Sequence, residues 1–426
     1  MSRHLIDDCF RTDPRDGLRM THAATLELIR ERVRPVVPAV EFEVADAIDR
    51  VLAADIIAPI SVPGHTNSAV DGYAFSHQSY SISDGSWFSV AGRVAAGGGR
   101  HGEVVIDREA AARIFTGAVM PVGLDTVVMQ EDCEIAGDRV RVPAGLKAGA
   151  NVRRAGEDVA AGSTVLRAGQ VVRAPDIAAL SSLGINHVAC YGMPRIAIVA
   201  TGDEIVRGGG GLLPGQVHDV NTPLLLALAR RCAGEVVDCG VWPDQRQVVV
   251  ERLAEAATRY DLLITSGGAS QGEEDHISHA LAQLGSRHFW QIAVKPGRPL
   301  MLGQIGDAAV VGLPGNPVAV FVCFLMYVWP LIRRLSGAAW REPRRFPLRA
   351  DFEFANRKVG RREFWRGITK QTDDGMLVRK FMRDGSGLIS GLREADGLID
   401  IAEHVTSVEP GQYVDFIPFS EFGILD

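Results

Sequence analysis

From about Thr21 the chain sets Leu26, Ile29 and Val33 on one helical face, and the pattern then turns strand-like before Ala58. Pro59, Pro63 and Gly64 break that pattern. Between 61 and 154 the apolar positions come in short runs separated by glycine-rich turns, among them Trp87–Val90, Val104–Ile106, Thr126–Met129 and Arg139–Val142. This spacing predicts a small all-β unit. Pro175–Leu183 reads as a helix stopped by Gly184, in a mixed segment expected to pack back on the N-terminal one, so that the β unit is an insertion.

Beyond Arg195 the pattern changes again. Apolar strands at Ile196–Ala200, Val236–Cys239, Leu262–Thr265 and Ala309–Gly312 alternate with helical stretches at 222–233, 245–258, 276–284 and 317–335. Such alternation predicts a parallel sheet with helices on both faces. After Pro343 turn signals return at Asp373-Asp374-Gly375, Asp384-Gly385 and Pro410-Gly411. The fold class expected is therefore multidomain α/β. It has a discontinuous N-terminal mixed unit (20–60 and 155–190), an inserted β unit (61–154), an α/β unit (191–343) and a C-terminal β-barrel-like unit (344–426).

Charge narrows the partners. With 45 Lys plus Arg against 52 Asp plus Glu, the formal net charge is −7, which disfavours nucleic acid and anionic membrane as partners. An anionic ligand needs a local basic site. The six cysteines form no C-x-x-C pair, so zinc spacing and a redox dithiol are unsupported and a reducing compartment is expected. The apolar run Val318–Ile332 is shorter than a bilayer requires and carries Pro330 near its end, so it reads as a buried helix. Acidic residues at Asp7, Asp8 and Asp13, with no apolar leader, point to the cytoplasm.

Ligands of an open parallel sheet bind at the carboxyl ends of its strands. Here those ends lead into Thr201-Gly202-Asp203-Glu204, Trp242-Pro243-Asp244, Ser266-Gly267-Gly268 with Glu273-Glu274-Asp275, and Leu313-Pro314-Gly315-Asn316-Pro317. Glycines let backbone N–H groups approach a phosphate, and the helix N-termini that follow add positive dipole ends. Singly, Asp244 with Gln247 has capping-box spacing, while Asp275 and Asn316-Pro317 have the spacing of simple caps. So many carboxylates on one edge exceed what caps explain, since like charges repel, and a divalent cation would relieve them. Lys295-Pro296-Gly297-Arg298-Pro299 supplies cations on a stiff turn.

The string Pro63-Gly64-His65-Thr66-Asn67-Ser68-Ala69-Val70-Asp71-Gly72-Tyr73-Ala74 resembles the signature of the molybdopterin molybdenumtransferase (MoeA) family, which includes the E domain of gephyrin. Further strings follow in the family's order: Phe115-Thr116-Gly117-Ala118, Val127–Glu131, Arg154–Asp158, Thr201–Glu204, Ser266–Gly268, Lys295–Gly297 and Leu313–Pro317. The resemblance covers nearly the whole chain. It implies molybdenum-cofactor biosynthesis: molybdate inserted into adenylylated molybdopterin, with Mg2+-dependent release of AMP. It also implies a homodimer, with molybdopterin adenylyltransferase and molybdoenzyme maturation factors as candidate partners.

By the same resemblance Asp71, Thr116 and Asp158 line one subunit's side of an intersubunit cleft, and Glu204, Asp244 and Asp275 face them. Asp275 and Asp244 are the expected metal ligands. Lys295 neutralises phosphate or molybdate, and Arg366 with Ser386 resembles an oxyanion-holding pair. Gly202, Asp203, Ser266, Gly267, Gly268, Pro296, Gly297, Arg298, Pro314, Gly315 and Asn316 complete the expected substrate contacts. Two positions depart from the family pattern: Gln291 stands where a second lysine is common, and Ala319 where a serine is expected. A scaffold would need no acidic edge with Lys295, Arg366 and Ser386, and a generic nucleotidyl transferase would lack the Pro63–Ala74 string and the flanking β units.

Overall fold

A computed structural model of the protein describes residues 19–97, 105–267, 276–383, 385 and 387–424. The first helix, His22–Arg32, is capped by Thr21, whose hydroxyl accepts the Ala24 N–H at 3.1 Å and so satisfies a donor that the first turn leaves open. Its Leu26, Leu28 and Ile29 enter the largest core. Strand Ala39–Glu43 then pairs antiparallel with His187–Tyr191. Leu52, Leu166, Leu180 and Val188 share one core, so segments on either side of the inserted β unit pack together. Helix Ala174–Ser182 ends two residues before Gly184, whose φ of 71° is a left-handed stop.

The inserted sheet has six strands, in the spatial order Thr126–Met129, Gly72–Phe75, Ala110–Ile114, Ser86–Val94, Arg139–Val142 and Glu134–Ala136. Strand alternation sends Tyr73, Phe75 and Phe88 to one face and Ala74, Ala112 and Ile114 to the other.

The central sheet also has six strands. Glu235–Trp242, Arg195–Thr201, Leu262–Ser266 and Ala308–Leu313 run parallel. Met301–Ile305 and Ser286–Trp290 extend it as two antiparallel strands that the periodicity does not show. Ala197, Val199, Leu263 and Val310 face helices Arg246–Arg259 and His276–Leu284, whereas Ile196, Ile198, Ile264 and Val311 face Asn221–Ala229 and Pro317–Leu335. Both faces are buried under helices, which explains the uninterrupted apolar runs. The long Pro317–Leu335 helix passes a π turn at Phe324–Val328, and 83% of its most apolar window is buried inside the protein. It is a core helix.

One local expectation fails. Gln245 occupies the N-cap position of the Arg246–Arg259 helix and no side chain caps it; the Gln247 side chain donates instead to Glu251 at 2.8 Å. The Asp244–Gln247 capping box does not form, because the Asp244 backbone N–H is bonded to Asp203 Oδ1 at 3.2 Å.

In the C-terminal unit Arg362–Thr372, Gly375–Lys380, Phe346–Ala350, Tyr413–Pro418 and Gly397–Ile401 neighbour one another in turn, and the last strand pairs back with the first. The ring is closed, as a barrel is. Strand Val294–Lys295, reaching out of the α/β unit, adds to its side with Lys295 opposite Glu363.

Candidate active site

Register fixes the order of groups along the central sheet's carboxyl edge. Thr201 lies opposite Trp242, Ala200 opposite Ser266, and Ser266 opposite Leu313. The edge therefore reads Asp244, then Gly202-Asp203-Glu204, then Ser266-Gly267, then Pro314-Gly315-Asn316. Carboxylates gather at its first end. Asp244 is half-buried, and its carboxyl is raised above the ordinary range chiefly by burial, with the Asp203 and Glu204 charges adding to the shift. His276, at the start of the next helix, pulls it the other way.

The glycine turns lie in the middle of the edge. Gly267 has φ 92°, and a Cβ there would sit 2.8 Å from both the Thr201 carbonyl oxygen and hydroxyl. Only glycine fits so close to the neighbouring strand end. Asn221, the first residue of its helix, bridges the two turns: its buried amide donates to Ser266 Oγ at 2.8 Å and to the Gly315 carbonyl at 2.7 Å. Asn221 Oδ1 is buried and, among the described residues, has no hydrogen-bond partner. The sequence reading treated 222–233 only as a helix, so this residue was missed; a polar side chain at the first buried turn is the signal for it.

Beyond Pro314 the charge changes sign. A cavity of about 320 Å3 opens between the Lys295 turn and the C-terminal barrel, lined by Arg19, Lys295, Arg298, Arg361, Arg366 and Lys380 among others. Among the described residues no carboxylate lines it. Pro296, Gly297, Pro314 and Asn316 contribute to its wall. Arg298 directs Nε and Nη2 at Gln291 Oε1, both at 3.3 Å, so the position that departs from the family pattern orients a neighbouring cation. Arg366 is buried; it donates to the carbonyls of Leu388 at 2.9 Å and Arg383 at 2.5 Å and stacks 4.6 Å from the Phe381 ring centre. Glu363 lies beneath the cavity, buried, 3.8 Å from Lys295 Nζ. Burial alone would raise its carboxyl, but bonds from Trp365 and Arg361 and the Lys295 charge outweigh that and hold it below its ordinary range. The sequence reading missed Arg361, Glu363 and Lys380 because it singled out only Arg366 in this part of the chain.

A third cluster belongs to the inserted β unit. Asp71 Oδ1 accepts from the Thr116 backbone N–H at 2.8 Å and from its hydroxyl at 2.7 Å. These bonds hold the Asp71 carboxyl below its ordinary range. Asn67–Ser68 pairs with Val152–Arg153, and the N–H groups of Gly156 and Asp158 donate to the carbonyls of Pro63 and Val62 at 2.9 and 3.1 Å. The Pro63–Ala74 string, Thr116 and the exposed Asp158 thus share one locale. Among the described residues, no hydrogen bond or ion pair links these three site residues to the central sheet edge. Gly268, Asp275 and Ser386 lie outside the described residues, and so does the metal pair expected of Asp244 with Asp275. No group of three potential metal ligands is preformed among the described residues.

Three family profiles cover most of the chain. They are the MoeA N-terminal region (domain I and II) over residues 20–184, a probable molybdopterin binding domain over 197–334, and the MoeA C-terminal region (domain IV) over 348–419. A molybdopterin molybdenumtransferase from Haemophilus influenzae is 36% identical over 378 residues, which is 88% of this chain and 92% of that protein. Gephyrin from Dictyostelium discoideum is 30% identical over 69% of this chain and 46% of its own length. A crystal structure of a molybdopterin biosynthesis moeA protein from Pyrococcus horikoshii superposes with a TM-score of 0.75 at 28% identity, covering 94% of this chain and 99% of that one. With three successive profiles of this family along it and a molybdopterin molybdenumtransferase relative 36% identical over 88% of its length, the chain belongs to the molybdopterin molybdenumtransferase family of enzymes.

Proposed function

We propose that this chain inserts molybdate into adenylylated molybdopterin and releases AMP, within molybdenum-cofactor biosynthesis. One observation supports this most directly: a single sheet edge runs from crowded carboxylates, across two glycine turns, to a cavity lined, among the described residues, by cations and neutral groups. Molybdate is a proton-free dianion and needs N–H and cationic donors, which Lys295, Arg298, Arg361 and Arg366 provide. The adenylate phosphate suits the turn at Gly315, where a backbone N–H can approach it closely, beside the turn at Gly267, whose own N–H donates to the Leu313 carbonyl. The pterin ring, rich in N–H donors, suits carboxylate acceptors such as Asp203 and Glu204.

The donor chemistry of the acidic end fits Mg2+. Hard carboxylate oxygens crowd there, and Asp244 is destabilised in its charged form by burial and by its neighbours. Asp244, with Asp275, would hold the ion, which when bound supplies charge compensation as the phosphoanhydride breaks. Asp244, Asp203 and Glu204 position the substrate around that centre, and the cavity beside Lys295 keeps the oxyanion next to the phosphate turns. We further read the protein as a cytoplasmic homodimer, in which Asp71, Thr116 and Asp158 of one subunit face the other's sheet edge. The free thiols at Cys133, Cys190, Cys232, Cys239 and Cys323 suit a reducing compartment.

The test is direct turnover. Purified protein given adenylylated molybdopterin, Mg2+ and molybdate should release AMP in step with active cofactor. A folded dimer that releases no AMP would overturn the reading.

A further inference from the structure

Glu363 is a buried carboxylate beneath a cavity of cations, and its bonds are divided between its two oxygens. Oε1 accepts from Arg361 Nε at 2.9 Å and lies 3.4 Å from Arg357 Nε. Oε2 accepts from Trp365 Nε1 at 2.9 Å and lies 3.8 Å from Lys295 Nζ. Arg357 is itself buried and ties the Ala402 and Val405 carbonyls to this point at 2.9 and 2.6 Å. Lys295 and Glu363 face each other where a strand of the α/β unit joins the barrel. The Glu363 side chain is 2% exposed, whereas those of Lys295 and Arg361 are 46% and 38% exposed. The carboxylate is therefore sealed away from the cavity, while both cations reach into it.

We infer that Glu363 is a positioning residue for the oxyanion: it holds Lys295 and Arg361, one from each unit, in a fixed pair across the cavity mouth, and Arg361 is thereby a further ligand of the bound dianion. The inference rests on the reading of this cavity as the molybdate site. Two long cationic side chains lose conformational freedom when they grip an anion, and a fixed carboxylate beneath them removes part of that cost beforehand. The geometry makes an unusual demand on the sign of the effect. By charge alone, neutralising an acid next to an anion site strengthens anion binding. If positioning dominates, neutralising Glu363 weakens it.

The experiment compares wild type, Glu363→Gln, Glu363→Asp, Arg361→Ala and Lys295→Ala in the full-length protein. Molybdate binding is measured by calorimetry, and KM values for molybdate and for adenylylated molybdopterin are measured in the AMP-release assay. Glu363→Gln should weaken molybdate binding by about tenfold, the scale of one charge-assisted bond, and raise the molybdate KM while leaving the KM for adenylylated molybdopterin unchanged. Arg361→Ala should weaken molybdate binding to a similar degree. Glu363→Asp keeps the charge but shortens the reach, so an intermediate loss is expected; it also decides the matter should Glu363→Gln fail to fold. Unchanged or tighter binding in either Glu363 variant, or a rise in both KM values together, overturns the positioning role. Wild-type protein that binds no molybdate, or Lys295→Ala that binds it normally, overturns instead the assignment of the cavity.

Discussion

Asp244→Asn tests the acidic end of the edge without changing its shape. Asp244 has a carboxyl raised by burial and by two neighbouring carboxylates, and its backbone N–H bond to Asp203 survives the substitution. Like charges a few ångströms apart in a water-like dielectric repel by about 1 kcal/mol. Asp203 and Glu204 are exposed, so screening leaves about 1 kcal/mol in all for the asparagine to relieve. Without divalent metal the variant should be the more stable protein, by about 2–4 °C in the transition of the α/β unit.

The pH dependence follows from the raised carboxyl. Its stabilising contribution is complete below the unfolded-state value of about 3.9 and is lost as pH climbs through the higher folded-state value. The gap between variant and wild type should therefore open across that window and close below it. Millimolar Mg2+ should reverse the order, because wild type gains stability from the ion and the variant gains less. AMP release by the variant should fall by about a hundredfold or more, as expected when an essential metal ligand is lost. Calorimetry at neutral and acidic pH, with and without Mg2+, reads each of these. A variant no more stable than wild type in the absence of metal, or one that gains as much from Mg2+, would refute the reasoning.

Other perturbations separate the remaining parts of the edge. Lys295→Ala should raise the molybdate KM by about tenfold or more and leave the KM for adenylylated molybdopterin near wild type, in steady-state assays that vary each substrate in turn. Asn221→Ala breaks two bonds between the glycine turns and leaves Ser266 Oγ and the Gly315 carbonyl without them. It should cost about 2–3 kcal/mol in denaturant unfolding and lower kcat. Gln291→Lys frees Arg298 from its present acceptor and adds a cation, so molybdate binding measured by calorimetry should tighten severalfold.

Much of the central sheet is legible in the sequence because its strands are buried on both faces and read as unbroken apolar runs, as at Ile196–Ala200 and Leu262–Thr265. The antiparallel strands Ser286–Trp290 and Met301–Ile305 escape notice because they flank the Pro296–Pro299 turn, whose prolines and glycine interrupt any period. Local spacing misleads at Asp244, where a tertiary bond to Asp203 prevails over a capping box. The acidic cluster of Asp203, Glu204 and Asp244 is readable because parallel topology puts all strand ends on one side. The other half of the cavity is not. Lys295 and Glu363 are remote in the chain and meet only because a short strand of one unit adds to the barrel of another, a pairing that no local pattern encodes. Asn221 is hidden for a similar reason, since its two acceptors come from turns far along the chain.

On the proposed reading, one sheet edge holds the adenylate phosphate at its glycine turns and the metal oxyanion at its cationic end. A crystal of the protein soaked with molybdate, AMP and Mg2+, with diffraction recorded across the molybdenum absorption edge, would locate both ligands. An anomalous peak is expected within bonding reach of Lys295, Arg361 and Arg366, with the AMP phosphate at Gly267 and Gly315. Molybdenum bound away from that cavity, or AMP seated away from those turns, would contradict it.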